Sequence, residues 1–429
     1  MTTTIPALHN RTGTHAPAPV ATVLPGWPLY LMIGGVPLWW ALGLTAFSNI
    51  TFAGIMVVLL LLRGRRTRIL PGLLPWAAFT LWVLACAVQL STALQAIGYV
   101  QRLADVLAVG VAMLYYVNAR ERVTPVKLMG SMVVLWVAMV VLGVLATRFP
   151  DVRLVSPLSY LLPPQILSND LVSQLMYPRL AEVQQPWGAP TPYNRPAAPF
   201  PYANSWGAAY GILTPVVLAF LATKPALWIR RTLLALLLVS VWPAIQTSNR
   251  GMLLALAIAI GYTAIRLALR GRVATLALVT AGGLAGGGFL LLSGALDGIL
   301  NRQQYSDSTG TRASLYLETF LGTLRSPFLG WGAPADNPTI GFALGTQGQA
   351  WTFMYSYGFV GLGLFLLFLV GAVLRTFRAP TTGSLWLHAA LVTVIPTMWF
   401  YGLGSAQLLA VGLLAAILLR SRYLGEARP

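Results

Sequence analysis

The stretch LMGSMVVLWVAMVVLGVLA, residues 128–146, is nineteen residues long and contains no charged side chain. As an α-helix it would be about 28 Å long, close to the roughly 30 Å thickness of the hydrocarbon core of a bilayer. Lys127 and Arg148 stand just outside it. The stretch therefore predicts a helix that spans a membrane.

Similar apolar stretches recur along the 429 residues, of which 57% are hydrophobic and only 9% charged, with a mean hydropathy of +0.72. A soluble domain has about a quarter of its residues charged, and the weak alternation of an outer-membrane barrel is missing. We expect an all-α polytopic membrane protein with about twelve transmembrane helices. The predicted spans are 27–47, 50–62, 69–91, 97–119, 128–146, 204–222, 232–247, 251–268, 273–293, 351–374, 384–402 and 405–420.

The basic residues form clusters that lie in the even-numbered connections and the C-terminal tail. The positive-inside rule places these segments in the cytoplasm, so both termini are expected inside. This topology explains the net charge of +18 better than nucleic-acid binding, which needs a basic soluble face. The clusters are Arg63, Arg65, Arg66 and Arg68; Arg120, Arg122 and Lys127; Lys224, Arg230 and Arg231; Arg266, Arg270 and Arg272; Arg375 and Arg378; and Arg420, Arg422 and Arg428.

The topology divides the chain into seven segments. The polar start lacks the pattern of a cleaved signal peptide, and the single cysteine, Cys86, permits neither a disulfide nor a cysteine metal site. The segments are a cytoplasmic tail, 1–26; helices 1–5, 27–146; a first extracytoplasmic loop, 147–203; helices 6–9, 204–293; a second extracytoplasmic loop, 294–350; helices 10–12, 351–420; and a cytoplasmic tail, 421–429.

The two loops are long enough to indicate a function, and each is expected to contain a short helix. LSNDLVSQLMYPRLAEV, residues 167–183, predicts an amphipathic helix on the membrane surface. In the second loop, apolar side chains with helical spacing follow Arg312, and Ser326-Pro327 should end that helix.

Every basic residue outside the cytoplasmic clusters is an arginine. A guanidinium group binds phosphate through a bidentate fork and stays charged, so an arginine-only exterior is typical of anion binding. The nine residues are Arg102, Arg148, Arg153, Arg179, Arg195, Arg250, Arg302, Arg312 and Arg325.

Arg250 lies in TSNRG, residues 247–251, at the outer end between two predicted spans. Ser248 and Asn249 supply a hydroxyl and an amide, and the N–H groups of the next helix point outward, which predicts an anion site. The alternative is an interfacial arginine that reaches toward lipid headgroups.

Arg312 and Arg195 are the other two candidates. Arg312 begins the predicted loop helix, where its charge opposes the helix dipole unless an anion is bound; otherwise it is simply exposed. Arg195 opens RPAAPFPYANSWG, residues 195–207, whose prolines would hold it rigidly near Asn204 and Trp206 at the start of the sixth span. The alternative is a rigid loop that binds nothing.

Other ionisable residues indicate structure more than chemistry. Arg102 and Asp105 are three apart on a predicted helix and are expected to pair. His388 lies near the cytoplasmic end of its span, away from the outward arginines. No nucleotide-binding or metal-ligand pattern occurs in a suitable context, so we expect no cofactor and no metal.

With these motifs in this order, the chain resembles the O-antigen ligase and polymerase superfamily, membrane glycosyltransferases of the GT-C type. RPAAPFPYANSWG is similar to that family's arginine-to-asparagine motif before a span, and TSNRG is similar to its Ser-x-Ser-Arg-Gly segment. TGTRASLYLETFLGTLRSPFLGWG resembles its loop arginine followed by Pro-x-x-Gly-x-Gly. GTQGQAWTFMYSYGFVGLG resembles the segment that leads into the next span, where the family commonly has His-Asn.

The resemblance implies an active site outside the cytoplasm at a bacterial inner membrane, where Arg195, Arg250 and Arg312 hold the diphosphate of a lipid-linked glycan donor. Fixed guanidinium groups would stabilise the charge on this leaving group. Gln347 stands where the family has histidine; it can orient a hydroxyl but cannot accept its proton, so Glu318 or Asp307 becomes the candidate base. Further substrate-binding candidates are Asn204, Trp206, Ser248, Asn249, Arg302 and Arg325.

The acceptor stays open between a glycan, a glycolipid and a protein. A rival function is a transporter or flippase for lipid-linked or anionic substrates, which would need ionisable residues within several spans. A third is a non-catalytic scaffold for cell-wall assembly, which the absent histidine favours.

Overall fold

The computed structural model of the chain describes residues 23–64, 66–185, 192–292, 308–337 and 342–425, and it is mostly helical. The helices are α1 Trp27–Gly34, α2 Val36–Leu42, α3 Thr45–Leu62, α4 Leu74–Ala85, α5 Ala93–Asn118, α6 Pro125–Arg148, α7 Pro164–Leu167, α8 Asp170–Met176, α9 Ala203–Ala222, α10 Leu227–Val239, α11 Val241–Gln246, α12 Arg250–Ala268, α13 Val273–Leu292, α14 Ser308–Leu324, α15 Gln349–Thr376, α16 Thr382–Thr397 and α17 Ser405–Leu424.

Nine helical stretches in the described part are long and apolar enough to cross a membrane, and the chain is a multi-pass membrane protein. Large apolar side chains such as Leu61 on α3 and Leu238 on α10 are 76% and 77% exposed, as expected for contact with lipid. The nine stretches are Thr45–Leu62, Pro71–Gln89, Ala93–Asn118, Pro125–Arg148, Ala203–Ala222, Leu227–Gln246, Arg250–Ala268, Gln349–Thr376 and Ser405–Leu424.

The predicted boundary between the first two spans is wrong. Residues 27–47 do not form one helix, because the chain breaks at Gly35 and again at Gly43. Pro37 cannot donate the hydrogen bond that would continue α1, and Gly43 has a φ of 78°, which glycine adopts without strain. The second helix therefore begins at Thr45.

The helix ends that carry the basic clusters are joined by arginine side chains. Arg63 donates to the Asn118 carbonyl at 2.8 Å, Arg420 to the Val123 carbonyl at 2.6 Å and Arg266 to the Phe377 carbonyl at 2.7 Å. We call this the basic end, defined by these three arginines and Arg270. The opposite end, which carries the two long loops, is the loop end.

The first loop is only partly as predicted. The helix expected over 167–183 is confirmed only as α8, because Pro178 follows and disfavours further helix. Residues beyond it form an antiparallel hairpin of β1 Ala181–Gln184 and β2 Tyr193–Pro196 that the sequence did not predict.

The helix predicted in the second loop is confirmed as α14, which ends at Leu324, just before Ser326-Pro327. It is followed by a small hairpin of β3 Ala335–Asn337 and β4 Phe342–Leu344. Residues 327–332, which connect α14 to β3, pack against a break in α15, where Gly358 has a φ of 69°. The Pro327 carbonyl accepts from Phe359 N at 2.8 Å, so the loop takes over a backbone hydrogen bond at the break.

Candidate functional site

Arg195 is buried within the first loop. It lies on β2, opposite Glu182 of β1, and only 3% of it is exposed. Its Nη1 lies 3.8 Å from the Glu182 carboxylate and donates to Gln184 Oε1 at 3.3 Å. The same carboxylate accepts from Ala203 N at 2.8 Å, at the positive end of α9. Other groups of the protein therefore bind both the Arg195 guanidinium and the backbone N–H of Ala203 at the start of α9.

The same guanidinium joins three segments of the loop end. Nε donates to the Thr247 carbonyl at 2.8 Å, and Nη2 donates to Asn204 Oδ1 at 3.0 Å. Two of the predicted motifs, RPAAPFPYANSWG and TSNRG, thus meet directly. Through its bond to Thr247, Arg195 holds the turn that precedes α12 in place.

That turn places Arg250 at the first residue of α12. Ser248 has a φ of 50°, and the Asn249 side chain does not cap the helix but accepts a hydrogen bond from the Tyr401 hydroxyl. Asn249 packs so closely on Gly207 that a Cβ there would collide with its amide.

Arg250 itself is exposed. A positive side chain at a helix N-terminus opposes the dipole, so it does not serve helix stability. The Asn249 side chain makes no capping hydrogen bond to the first turn of α12, and helix N-termini favour negative charge.

Trp206, predicted to contact substrate, lies in the core. It is fully buried, stacks on Tyr210 with ring centroids 5.1 Å apart and donates from Nε1 to the Met139 carbonyl at 3.1 Å. These contacts hold α9 against α6.

The second loop reaches the same end through aromatic contacts. Tyr316 of α14 stacks on Trp351 of α15 at 4.5 Å, and Trp351 Nε1 donates to the Trp399 carbonyl at 3.0 Å. Two residues further, the Tyr401 carbonyl accepts from Gln349 N at 2.8 Å. Tyr401 therefore connects the start of α15 with the turn that carries Arg250.

The remaining predicted residues lie around α14 and α15. The backbone of Arg312 is on α14, one turn before Tyr316, while its side chain, together with all of Arg302 and Asp307, lies outside the described residues. Glu318 is half-buried and Arg325 is exposed on or just after α14. Gln347 is half-buried and donates to Thr346 Oγ1 at 3.3 Å.

A cavity of about 190 Å³ adjoins this cluster. Trp40 and Phe200 form part of its wall, and the Ser205 carbonyl, next to Asn204, accepts from Gln407 at 2.8 Å. The cavity therefore shares the start of α9 with the Arg195 cluster. Its polar lining comprises Thr45, Gln101, Gln174, Arg179, Ser205, Ser405 and Gln407.

The predicted pairing of Arg102 with Asp105 is not what the structure has. Asp105 accepts from Ser405 Oγ at 2.7 Å and from Asn49 Nδ2 at 3.2 Å, whereas the Arg102 guanidinium lies beside Tyr357. Helical spacing allowed a pair, but two neutral partners on other helices hold the carboxylate instead.

No known protein-family model matches the chain, and no curated protein matches it significantly. Any function proposed for the chain therefore depends on the geometry of the loop end. Within the described residues, no group of three or more His, Cys, Asp or Glu side chains could hold a metal ion.

Sequence reasoning missed Tyr401, Ser405 and Gln407, which connect the last two helices to the site. A polar cluster, YGLGSAQ, at residues 401–407 interrupts the apolar C-terminal region and was the available signal. Asp105 was noticed as a carboxylate inside a span, but its partners come from residues 56 and 300 positions away.

Proposed function

We propose that the chain is a glycosyltransferase that moves a glycan from a polyprenyl-diphosphate carrier to a glycan, glycolipid or protein acceptor outside the cytoplasm. The observation that carries this proposal is Arg250, exposed at the start of α12, a helix N-terminus whose N-cap side chain makes no capping hydrogen bond. A diphosphate is an anion suited to such a position. The family resemblance supplies the reaction class.

The chemistry requires stabilisation of a leaving diphosphate. As the bond between the sugar and the phosphate oxygen breaks, negative charge grows on the diphosphate, and a preorganised guanidinium lowers the energy of that state. In this proposal Arg250 and Arg312 contact the diphosphate, with Arg302 and Arg325 as further cationic contacts. Arg195 holds the turn of Arg250 in place and joins the donor site through Asn204, with Ser248 and Asn249 beside it.

The acceptor side is assigned to the start of α15. Gln347 can orient the acceptor hydroxyl, but an amide does not accept its proton at neutral pH. Glu318 on the neighbouring α14 is one candidate for the base. The proposal uses no metal and no cofactor.

Support for an extracytoplasmic site comes from the separation of charges. Arg63 after α3, Arg266 and Arg270 in or just after the last turn of α12, and Arg420 in α17 donate to backbone carbonyls at the ends of α5 and α15 or in the connections that follow them. The positive-inside rule then assigns the basic end to the cytoplasm and the loop end to the outside of a bacterial inner membrane.

Transport of a lipid-linked or anionic substrate is the second candidate, and the half-buried carboxylate of Asp105 within a span is the observation that favours it. Asp105 lies thirteen residues before the basic end of α5, or about 20 Å along the helix. In a core of about 30 Å this places it in the outer third, level with the first turn of α17. At that depth, Asp105 fits a recess that opens to the outside better than it fits a transport site at the midplane of the bilayer.

One experiment separates the two functions. The full chain is reconstituted in vesicles with radiolabelled polyprenyl-diphosphate glycans extracted from bacterial membranes, together with a delipidated membrane extract as acceptor source. Transfer of label to the acceptor fraction, and its loss in Arg312→Ala, is the expected result. Movement of intact donor between leaflets without cleavage would indicate transport. If neither transfer nor movement occurs, the scaffold function is the one that remains.

A further inference from the structure

We infer that the cavity beside the Arg195 cluster is the acceptor-sugar subsite of the proposed transfer, with Ser405 and the Asp105 carboxylate behind it taking the proton from the acceptor hydroxyl. This inference rests on the proposed function and moves the acceptor hydroxyl from the start of α15 to this cavity, with Ser405 and Asp105 in place of Gln347 and Glu318. Ser405 would be the catalytic residue that touches the acceptor. Asp105 would be the positioning residue that finally receives the proton.

The lining of the cavity fits one sugar ring. Its volume of about 190 Å³ is below the roughly 300 Å³ usual for drug-sized ligands, so it suits one small polar unit. Trp40 and Phe200 offer apolar surface for the C–H face of a ring. The amides of Gln101 and Gln174 each provide a donor and an acceptor, the combination that hydroxyl groups need.

Asp105 lies directly beneath this lining. Gln101 and Asp105 are four residues apart on α5, as are Thr45 and Asn49 on α3, so in both helices the second residue lies one turn deeper on the same face. Asn49 is only 5% exposed and donates to one carboxylate oxygen. Ser405, which lines the cavity, donates to the other at 2.7 Å.

This geometry makes Ser405 a link between cavity and carboxylate. Its hydroxyl proton is already directed at Asp105, which leaves its oxygen lone pairs free to accept from a sugar hydroxyl in the cavity. Glu318 differs because it is on α14, which packs on α15, whereas α2, α3, α5 and α17 surround the cavity.

In the proposed step, the acceptor oxygen forms a bond to the anomeric carbon of the donor while the bond from that carbon to the phosphate oxygen breaks. The electron pair of the broken bond stays on the polyprenyl diphosphate. The acceptor proton passes to Ser405 Oγ, the Ser405 proton passes to Asp105, and Asp105 becomes a neutral carboxylic acid that later releases the proton to water.

A pH dependence follows from this role. From the helices packed on α5, the groups that face Asp105 are Asn49 and Ser405, and neither titrates near neutral pH. Arg102, one turn earlier on α5, lies beside Tyr357, and Arg179 is the cation in the cavity lining. The base acts when ionised, so the transfer rate should fall as pH is lowered through its pKa.

The test compares Asp105→Asn, Ser405→Ala and Glu318→Gln in the reconstituted transfer assay. If the inference holds, Asp105→Asn lowers kcat by about 100-fold, a usual contribution of a general base, and removes the acid limb of the pH–rate profile. Ser405→Ala lowers kcat less, because a water can bridge the gap. Donor binding stays at the wild-type level, and Glu318→Gln keeps the acid limb of the pH–rate profile. Ser421→Ala, a hydroxyl loss at the other end of α17, is the matched control.

Three results would contradict the inference. Wild-type kcat and pH profile in both Asp105→Asn and Ser405→Ala would overturn it while leaving glycosyl transfer intact. Loss of the acid limb in Glu318→Gln instead would assign the base to α14. Absence of transfer by the wild-type chain would overturn the proposed function, and this subsite with it. If Asp105→Asn does not fold, as judged by gel filtration and thermal unfolding, Ser405→Ala and Gln174→Ala decide: both must raise KM for the acceptor or lower kcat.

Discussion

At the basic end, Arg63, Arg266 and Arg420 donate to backbone carbonyls where helices end, whereas Arg250, at the loop end, occupies the first residue of a helix. A guanidinium near a helix C-terminus satisfies carbonyls and matches the dipole, so it stabilises the fold. At an N-terminus its charge opposes the dipole. The side chains are chemically identical, and their place on the helix dipole separates a structural arginine from one suited to an anion.

Arg195 stands between these two groups. It is at the loop end, yet it is as well bonded as Arg420, with its guanidinium held by Thr247, Asn204, Gln184 and Glu182. The comparison therefore assigns it to support of the Arg250 turn as well as to the proposed donor site. Three experiments test this division of roles.

The largest effect is expected for Arg250→Ala. Loss of one preorganised donor to a developing oxyanion typically costs about 10²- to 10³-fold in rate, so transfer of labelled glycan should fall by about that factor. The matched control is Arg272→Ala, an exposed arginine just beyond the opposite end of α12. Equal rates in the two variants would remove Arg250 from the donor site.

The second test pairs the two buried arginines, Arg195 and Arg420, which are 3% and 1% exposed. Arg195→Ala leaves Glu182 without its cation, and Arg420→Ala leaves two buried carbonyls without donors, so each should cost about 3 kcal/mol of unfolding free energy. Thermal unfolding in detergent measures both. Transfer per folded molecule should be lost only in Arg195→Ala; equal activities would make Arg195 purely structural.

The smallest effect concerns a helix start at the basic end. The N-terminus of α16 is capped by Thr381 and Ser384, neutral hydroxyls that satisfy its N–H groups without an anion. Thr381→Ala should lower the unfolding free energy by about 1 kcal/mol and leave transfer unchanged. Thr382→Ala, the next residue, serves as control. A loss of transfer in Thr381→Ala would mean that the basic end also takes part in function.

The candidate site was predictable in its parts but not in its assembly. Arg195, Asn204 and the TSNRG turn were identified from local motifs, and they do meet. Trp206 was assigned to substrate and lies in the core, because an aromatic ring beside a motif is equally suited to packing. Asp105 was given the wrong partner because helical spacing reports only neighbours on the same helix.

The amino-acid sequence alone was enough to predict a helical, multi-pass membrane protein, since repeated apolar stretches of about 20 residues without charge can cross a bilayer as helices that satisfy their own backbone hydrogen bonds. It also determined which connections are basic. The three-dimensional structure was needed to show which other groups of the protein bond to Arg195 and Arg420, that Tyr401 connects α15 with the α12 turn, and that a cavity lies above Asp105. These depend on contacts between residues far apart in the chain, where local spacing carries no information and packing geometry decides.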